Sequence, residues 1–351
     1  MKIALFLPNW IGDAVMATPA MRAIREHYLD AEIFGVMRPY VGQVLEGLDL
    51  VDRTFLYSPR SRSPEMRAWN LSMDLRHEGI DIAVLFPNSL RTATMAWLSG
   101  AKERIGFNRD LRRWLLTDAL TPRSRKQPNP VIDEYLRLAE RLGCTRLTHD
   151  TELAVTEADQ DALEFFWRKN GSRLRNKGTI CINSGGAFGA AKDWPATYFA
   201  DLARRLANET GKTILVLCGP AEVDNAREIV RQADDDRVIT LAGEKLSLGL
   251  TKAAVSESEL LITTDSGPRH FAQPFGVPVV TLYGPTHTAW SDTYYSKGIN
   301  LQKAVDCGPC QKRACPLGHH RCMTGLQVDT VYNAALCLWR QQRTDDLRRA
   351  A

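Results

Sequence analysis

Short apolar runs alternate with helical patterns along this chain, and they do so in two separate series. Such alternation predicts βαβ units that build parallel sheets with helices on both faces. A fold of the α/β class with two doubly wound units is therefore expected. The runs that predict strands are residues 3–7, 32–37, 53–57, 80–86 and 104–107 in the first series, and 179–183, 213–218, 238–241, 260–264 and 277–283 in the second.

Helical patterns separate these runs. In the first series a helix is expected over residues 18–28, with Thr18 as its cap and Pro19 as its first residue, and another is expected over 133–142. In the second series helices are expected from about residues 196, 221, 247 and 268, with a last one over 330–342.

The length of 351 residues favours two domains, because single cores stop growing below that size. We place the boundary in the polar, turn-rich stretch 169–178. The predicted organisation is a first domain over 1–170, a second over 178–328, and a C-terminal helix within 329–351 that packs back towards the first domain. No apolar run approaches the roughly 20 residues of a membrane span. The chain enters a strand at once without a signal-peptide pattern, so a cytoplasmic protein is expected.

The turn that follows residues 260–262 has the composition of a phosphate site. It reads Thr-Thr-Asp-Ser-Gly-Pro-Arg-His over residues 263–270, and a helix is expected to open at about Pro268. A helix start leaves backbone N–H groups unpaired and suits a diphosphate. Ser266 and Gly267 would supply such N–H groups, Asp265 a sugar acceptor, and His270 a proton or phosphate partner.

A glycine-rich turn follows the first strand of the second series. Gly185 and Gly186 would let backbone N–H groups approach phosphate oxygens, and Lys192 would add a positive charge, although the Gly-Lys-Ser/Thr ending of a P-loop is missing. Lys192 alone reads equally as a surface lysine. Glu222 either accepts from a ribose hydroxyl or is an acid that the helix dipole favours in a first turn.

The first strand of the chain runs into Pro8-Asn9-Trp10-Ile11-Gly12-Asp13. A dinucleotide-binding turn would show Gly-x-Gly-x-x-Gly there, so a dinucleotide oxidoreductase is disfavoured. Asp13 would lie at the sheet edge where open α/β sheets bind ligands. It acts either as a general base towards an incoming hydroxyl or as a helix cap.

The net charge of +4 is too small for a general nucleic-acid binder, so no nucleic acid is expected as a partner. The charge is uneven, however: residues 102–126 hold eight basic residues and three acidic ones, and the first half also has Arg60, Arg62 and Arg67. This bias indicates either a solvated basic face or a site for an anionic acceptor or a membrane surface.

Four of the eight cysteines lie within 16 residues. They are Cys307, Cys310, Cys315 and Cys322, and the segment also contains His319 and His320. The Cys-x2-Cys spacing is typical of a structural zinc or iron–sulfur site, because four sulfurs leave no open position on the metal. The alternative is a reduced cluster packed in a loop.

The turn 8–13, the loop 185–195, Glu222, and the turn 264–270 followed by residues 283–286 occur in an order that spans nearly the whole chain. Together they resemble the bacterial ADP-heptose:lipopolysaccharide heptosyltransferases, glycosyltransferase family nine. Residues 85–89 and the cysteine segment make the resemblance closer to heptosyltransferase II than to heptosyltransferase I. The sequence departs from the usual family pattern at Arg269 and Phe271.

The resemblance implies a GT-B architecture of two Rossmann-like domains that face each other across a cleft. It implies transfer of heptose from ADP-heptose to the lipopolysaccharide inner core, with inversion and without a catalytic metal, by an enzyme at the cytoplasmic face of the inner membrane. The residues it places at the reaction are Asp13 and Lys192. The donor residues it implies are Gly185, Gly186, Lys192, Glu222, Asp265, Ser266, Gly267 and His270, and the acceptor residues are Arg60, Arg62, Asn88, Ser89 and Arg91.

Other readings stay open at this point. A related transferase would use another nucleotide sugar or a protein acceptor, and a nucleotide-sugar epimerase or hydrolase would share the donor half. A scaffold without catalysis is disfavoured by the presence of Asp13, Lys192, Asp265 and His270, although a fold alone never proves activity.

Overall fold

Two parallel six-stranded sheets organise the chain, one in each of two compact units. The structure, a computed structural model, describes residues 1–124, 127–186 and 188–350. Arg125 and Lys126 of the basic run, Ala187 of the glycine-rich turn and the terminal Ala351 lie outside these residues. The first unit comprises Met1–Ala154 with Ala289–Tyr294, and the second comprises Val155–Thr288 with Tyr295–Ala351.

The sheet of the first unit has the strand order β3-β2-β1-β4-β5-β6. Its strands are β1 (Lys2–Phe6), β2 (Glu32–Met37), β3 (Arg53–Leu56), β4 (Ile82–Leu85), β5 (Glu103–Phe107) and β6 (Asp118–Leu120). Its helices are α1 (Ile11–His27), α2 (Pro39–Leu45), α3 (Ala68–Glu78), α4 (Leu90–Leu98) and α5 (Val131–Arg141). Every residue of β4 is buried, as expected for a central strand that is covered by helices on both faces.

The sheet of the second unit has the order β12-β11-β10-β7-β8-β9. Its strands are β7 (Thr179–Asn183), β8 (Thr213–Leu217), β9 (Val238–Thr240), β10 (Leu260–Thr264), β11 (Val279–Tyr283) and β12 (Gly298–Gln302). Its helices are α6 (Glu157–Asn170), α7 (Ser172–Arg175), α8 (Ala196–Thr210), α9 (Val223–Ala233), α10 (Leu248–Ser256), α11 (Arg321–Thr324) and α12 (Val328–Ala350). The predicted α/β class with two doubly wound sheets is confirmed.

The first helix begins earlier than the sequence predicts. Helix α1 starts at Ile11, so Pro19 lies inside it and Thr18 is not its cap. Proline cannot donate to the carbonyl four residues back, which here belongs to Val15. The Thr18 hydroxyl donates to that carbonyl instead, at 2.7 Å, so the helix continues through the proline without an unsatisfied acceptor.

The division into units also differs from the predicted boundary. Helix α6, which was assigned to the first domain, belongs to the second unit and packs against α10, where the Lys252 ammonium lies 3.4 Å from the Asp159 carboxylate. Helix α12 packs on α8 and on β10, β11 and β12 of the second unit. Its predicted packing towards the first domain stays a prediction. Within the described part of the chain, none of the helices combines the length and hydrophobicity that a membrane span needs.

Candidate active site

Both sheets have the doubly wound strand order in which the direction of winding reverses between two neighbouring central strands. The reversal lies between β1 and β4 in the first unit and between β7 and β10 in the second. Ligands of open α/β sheets bind outside the carboxyl ends of the strands at this switch point. The predicted site residues fall at these two edges: Asp13, Asn88 and Ser89 follow β1 and β4, whereas Gly185, Gly186, Asp265 and Ser266 follow β7 and β10.

Asp13 lies in the first turn of α1 and is partly exposed. The residue at the helix N-cap is Trp10, so Asp13 is not the cap itself. A carboxylate in a first turn is favoured by the helix dipole. Burial raises the pKa of Tyr135 well above its ordinary value, and the negative charge of Asp13 raises it further. The Tyr135 hydroxyl therefore lies within electrostatic range of the Asp13 carboxylate.

Beside this edge lie two adjoining cavities of about 260 and 620 Å³, and Arg38 and Arg91 line both of them. The Arg38 guanidinium lies 5.0 Å from the centre of the Tyr57 ring, and its Nε donates to the Asn9 side-chain oxygen at 3.2 Å. Arg91 reaches the Tyr57 hydroxyl at 3.5 Å. The smaller cavity is otherwise lined largely by apolar side chains, among them Leu7, Val36 and Met95, so the two arginines supply the positive charge that suits a sugar with anionic groups.

Some of the predicted acceptor residues already make hydrogen bonds within the protein, and others do not line either cavity. Ser89 is the N-cap of α4 and accepts from the Thr92 N–H at 3.2 Å, while it also lines the smaller cavity. The Asn88 side-chain oxygen accepts from Arg112 at 3.1 Å. Arg60 lines the larger cavity, whereas Arg62 is exposed and lines neither. Asn88 and Ser89 are therefore held by the fold before any acceptor binds.

At the edge of the second sheet, Lys192 and Asp265 form an ion pair. The Lys192 ammonium donates to the Asp265 carboxylate at 2.5 Å and to its backbone carbonyl at 2.7 Å, and the Thr286 hydroxyl donates to the same carboxylate at 2.6 Å. Burial alone would raise the pKa of Asp265, but the Lys192 charge and these hydrogen bonds lower it overall. Lys192 is therefore a partner of Asp265 and not an ordinary surface lysine.

The glycines of the second-unit turn are required by side chains that pack against them. A Cβ on Gly185 would lie 2.3 Å from Cγ of Glu222, and a Cβ on Gly186 would lie 2.7 Å from the Ser266 Cβ. The Glu222 carboxylate accepts from the Gly219 N–H at 2.5 Å. Asn183, at the end of β7, donates to the Gly185 carbonyl at 3.0 Å and to the Ser266 hydroxyl at 2.9 Å. These contacts bring Gly185, Gly186, Glu222 and Ser266 together.

The turn after β10 differs from the prediction in two respects. A 3₁₀ helix of five residues, Gly267–Phe271, replaces the helix that was expected from Pro268, so the dipole of a long helix does not act there. His270 was predicted as a proton or phosphate partner, but its side chain is buried. Burial, assisted by the Arg269 charge, lowers the pKa of His270 to about 3. A neutral imidazole follows, and it cannot form an ion pair with a phosphate at neutral pH.

The cysteine segment packs directly on the glycine-rich turn. The Arg313 carbonyl accepts from the Ala191 N–H at 3.1 Å, and a Cβ on Gly189 would lie 2.5 Å from that carbonyl oxygen. The Phe188 ring has the Lys192 ammonium 4.3 Å from its centre and the Arg313 guanidinium 5.7 Å from it. The segment thus fixes the backbone of the turn and adds a second cation beside Lys192.

The four clustered cysteines are partly exposed. Burial raises the pKa of Cys322, and the charges of Cys310, Cys315 and Cys307 raise it further, so the four sulfurs share one neighbourhood. The Cys307 sulfur lies 3.8 Å from the His319 ring nitrogen. Among the described residues, however, no three His, Cys, Asp or Glu side chains have an arrangement that would hold a metal ion. The thiols as placed do not form a ligand set.

Several residues at these two edges were not singled out by the sequence. Arg38 and Tyr57 lie in loops after β2 and β3, where no motif marks them. Asn183 is the last residue of a predicted strand, and asparagine is common where a strand passes into a turn, so nothing marks it as a site residue. Arg313 lies within the cysteine segment directly after Lys312, and the sequence does not show which of the two basic side chains faces the site. Only the topology brings these residues to the site.

Three comparisons with known proteins agree with this geometry. The profile of glycosyltransferase family 9 (heptosyltransferase) matches residues 68–321. The lipooligosaccharide heptosyltransferase 2 of Campylobacter jejuni is 25% identical over 338 residues, which cover 94% of this chain and 97% of that protein. The solved structure of E. coli ADP-heptose lps heptosyltransferase II superposes with a TM-score of 0.80 at 22% identity, with 98% of this chain and 100% of that chain covered.

A glycosyltransferase family 9 structure from Veillonella parvula superposes with a TM-score of 0.82 at 24% identity, with 97% of each chain covered. The two structural matches show the same fold, and the family profile spans well over half of the chain. The chain therefore belongs to glycosyltransferase family 9, the heptosyltransferase family.

Proposed function

We propose that this protein transfers heptose from ADP-heptose to the inner core of lipopolysaccharide, with inversion at the anomeric carbon. The main support for the proposal is that, in a chain of family 9, both sheets place chemically suitable residues at the edge where the winding direction reverses. One edge holds a carboxylate in the first turn of α1, and the other holds the Lys192–Asp265 pair against a glycine-rich turn. The relatives named lipopolysaccharide heptosyltransferase 2 support the choice of sugar and acceptor.

In the proposed reaction, the Asp13 carboxylate takes the proton of an acceptor hydroxyl as its oxygen attacks the anomeric carbon. The bond from that carbon to the diphosphate oxygen breaks on the opposite face, and ADP leaves with the electron pair. One displacement inverts the centre, and no cofactor takes part. Loss of such a base typically slows a reaction by about 10²- to 10⁴-fold.

The donor diphosphate is proposed to lie against the turn that carries Lys192. Because Asp265 neutralises Lys192 at 2.5 Å, the pair alone offers little net charge to a diphosphate. The exposed Arg313, beside the same Phe188 ring, supplies a further positive charge. Preorganised charge of this kind stabilises the leaving group as it forms. We assign Glu222 and Asp265 to the sugar and ribose hydroxyls of the donor, and Gly185, Gly186, Ser266 and Gly267 to its backbone contacts.

The acceptor is proposed to occupy the two cavities lined by Arg38 and Arg91, with Arg60 at the larger one. Cationic walls suit the anionic sugars and phosphates of an inner core. Because that acceptor is a lipid, the enzyme is proposed to act at the cytoplasmic face of the inner membrane as a peripheral protein.

The cysteine segment stays a predicted structural metal site. Cys307, Cys310, Cys315 and Cys322 would have to move to form a tetrahedral set, and the transfer reaction itself does not involve the metal. Metal analysis of anaerobically purified protein tests this prediction. Metal in the wild type and background levels in Cys307→Ser/Cys310→Ser support it, whereas background levels in both contradict it.

The function is tested by incubating the protein with ADP- and UDP-sugars and truncated core lipids, and by measuring the masses of the products. Addition of one heptose, from ADP-heptose only, is the expected result. Transfer from a UDP-sugar would contradict the donor assignment, and transfer to protein would contradict the acceptor. Release of ADP without acceptor would indicate a hydrolase.

A further inference from the structure

Several large apolar side chains of the first unit are exposed, and five of them belong to α3, α4 and the loop between β5 and β6. Their exposed fractions are 86% for Leu111, 76% for Trp114, 62% for Trp69, 53% for Trp97 and 44% for Leu90. Single exposed apolar residues are common on proteins, but a group of them marks a contact surface. Three of the five are tryptophans, the residue that concentrates at the interface between water and lipid.

These five residues belong to neighbouring elements. Leu90 and Trp97 are seven residues apart on α4 and therefore lie on the same helical face. The 3₁₀ turn that carries Trp114, Arg113–Leu115, packs on α4, as does helix α3, which carries Trp69. We call the surface formed by Trp69, Leu90, Trp97, Leu111 and Trp114 the docking face.

The loop that presents Leu111 is held rigidly in place. Arg112 is completely buried and donates to the Phe107 carbonyl at 2.9 Å, to the Asn88 side chain and to the Pro87 carbonyl. Asp110 and Leu111 both have positive φ angles, 52° and 58°, which residues other than glycine seldom adopt. The fold thus directs Leu111 outwards at a conformational cost, and such a cost is typical of a functional surface.

The docking face is also strongly basic. The segments that form it, residues 58–69, 89–98 and 108–116, contain six arginines besides the buried Arg112 and only two acidic residues. Arg60, Arg62, Arg67 and Arg113 are exposed around the apolar side chains. Apolar and aromatic residues surrounded by arginines match a bilayer surface with anionic headgroups. A neutral protein surface would not require this charge.

We propose that the docking face binds anionic phospholipid bilayers, with Leu111 and Trp114 inserted at the headgroup level. This inference deepens the proposed function, on which it rests for the lipid nature of the acceptor. Arg91, next to Leu90 on α4, lines both acceptor cavities, and Arg112 joins the Leu111 loop to Asn88. Docking would therefore bring the acceptor cavities to the membrane that holds the acceptor.

The test is flotation of the full chain with vesicles of phosphatidylglycerol and phosphatidylethanolamine, compared with vesicles of phosphatidylcholine. The wild type is expected to float with the anionic vesicles and to detach as salt is raised. Leu111→Ser/Trp114→Ser should lower the bound fraction about tenfold, because both insertion anchors are lost. Leu29→Ser, at an exposed apolar residue outside the docking face, should bind as the wild type does.

A second measurement excludes loss of folding as the cause. Leu111→Ser/Trp114→Ser should keep wild-type transfer to a soluble truncated acceptor and lose transfer to the same acceptor in vesicles. Tryptophan quenching by brominated phospholipid should fall in Trp114→Phe.

Three outcomes would overturn the docking face: failure of the wild type to bind anionic vesicles, equal binding by the double variant, or self-association of the wild type that the double variant abolishes. The last result would identify the surface as an interface between copies of the chain. Absence of transfer by the wild type to the soluble acceptor would instead contradict the proposed function and leave the vesicle result intact.

Discussion

The Lys192 ammonium and the Asp265 carboxylate lie 2.5 Å apart in a pair that is almost entirely shielded from water. They belong to the turn after β7 and to the turn after β10, the two sides of the switch point in the second sheet. The pair therefore joins the two loops that form the proposed diphosphate site. Both residues were predicted from the sequence, but as separate contacts of the donor.

Removal of one member of this pair should destabilise the second unit. Lys192→Met removes the ammonium that pairs with the buried Asp265 carboxylate, and breaking a buried pair in this way costs about 3 to 5 kcal/mol. Lys192→Met/Asp265→Asn should recover most of that loss and still bind ADP poorly. Urea denaturation with ADP calorimetry measures both effects. A double variant no more stable than Lys192→Met would show that the pair is not the source of the loss.

The pair also predicts a pH dependence. The pKa of Asp265 is lower in the folded protein than its ordinary value of 3.8. Its stabilising contribution is therefore complete above that value and is lost as pH falls through the lowered pKa. Acid unfolding of Asp265→Asn should lack this component. An acid transition equal to that of the wild type would contradict the assignment.

His270 should make the protein less stable in mild acid. The pKa of His270 is about 3 in the folded protein and 6.5 for the free side chain. Between these values the unfolded chain binds a proton at His270 and the folded chain does not. Stability should fall as pH drops below 6.5, by about 2 kcal/mol at pH 5. His270→Gln should remove this slope in urea denaturation and keep ADP affinity within about threefold, since a neutral imidazole makes no ion pair with phosphate. A large loss of ADP affinity would restore the role that the sequence suggested.

Arg313 is expected to act on the diphosphate and not on the nucleoside. Arg313→Ala should weaken ADP binding about tenfold, as removal of one charged hydrogen-bonding group typically does, and leave adenosine binding unchanged. Lys312→Ala, at the exposed neighbouring residue, is the matched control and should bind both ligands normally. Equal losses for ADP and adenosine would indicate that the Arg313 side chain supports the turn and does not act on the diphosphate, and no loss for either ligand would leave it without a role in binding.

The buried Arg112 predicts a stability effect in the first unit. Burial lowers its pKa to about 10, which leaves it charged at neutral pH. Arg112→Met removes the donor to the Phe107 and Pro87 carbonyls and to Asn88, and unsatisfied buried acceptors cost about 1 to 3 kcal/mol each. Thermal unfolding should show the loss, and the acceptor KM should rise because Asn88 is no longer fixed. An unchanged KM would remove Asn88 from the acceptor site.

The sequence predicted the central strands well because they are buried on both faces and read as apolar runs. It missed one edge strand of each sheet: β6 has only three residues, and β12 reads Gly-Ile-Asn-Leu-Gln with alternating exposure, so both resemble loops. It also predicted that a helix starts at Pro19, because proline is common in the first turn of a helix. The hydrogen bond from the Thr18 hydroxyl to the Val15 carbonyl, which lets α1 continue through Pro19, cannot be predicted from helix propensities.

The sequence indicated where the candidate site residues lie along the chain, but not which of them contact each other. Asp13, Lys192, Glu222 and Asp265 lie in the segments that follow strand ends, which alternation alone locates. The Lys192–Asp265 pair joins residues that are 73 positions apart along the chain. The hydrogen bond from the Ala191 N–H to the Arg313 carbonyl joins residues that are more than 100 positions apart. Burial of His270 depends on packing that no local pattern encodes. Pairings of this kind require the folded topology.

The central claim is that Asp13 is the base that activates the acceptor hydroxyl. The most direct measurement is single-turnover transfer from ADP-heptose by Asp13→Asn, with ADP affinity measured on the same protein and Asp30→Asn, at an exposed aspartate, as the control. The account predicts a rate lower by about 10²- to 10⁴-fold with ADP affinity unchanged, and a normal rate for the control. A rate for Asp13→Asn close to that of the wild type would contradict it.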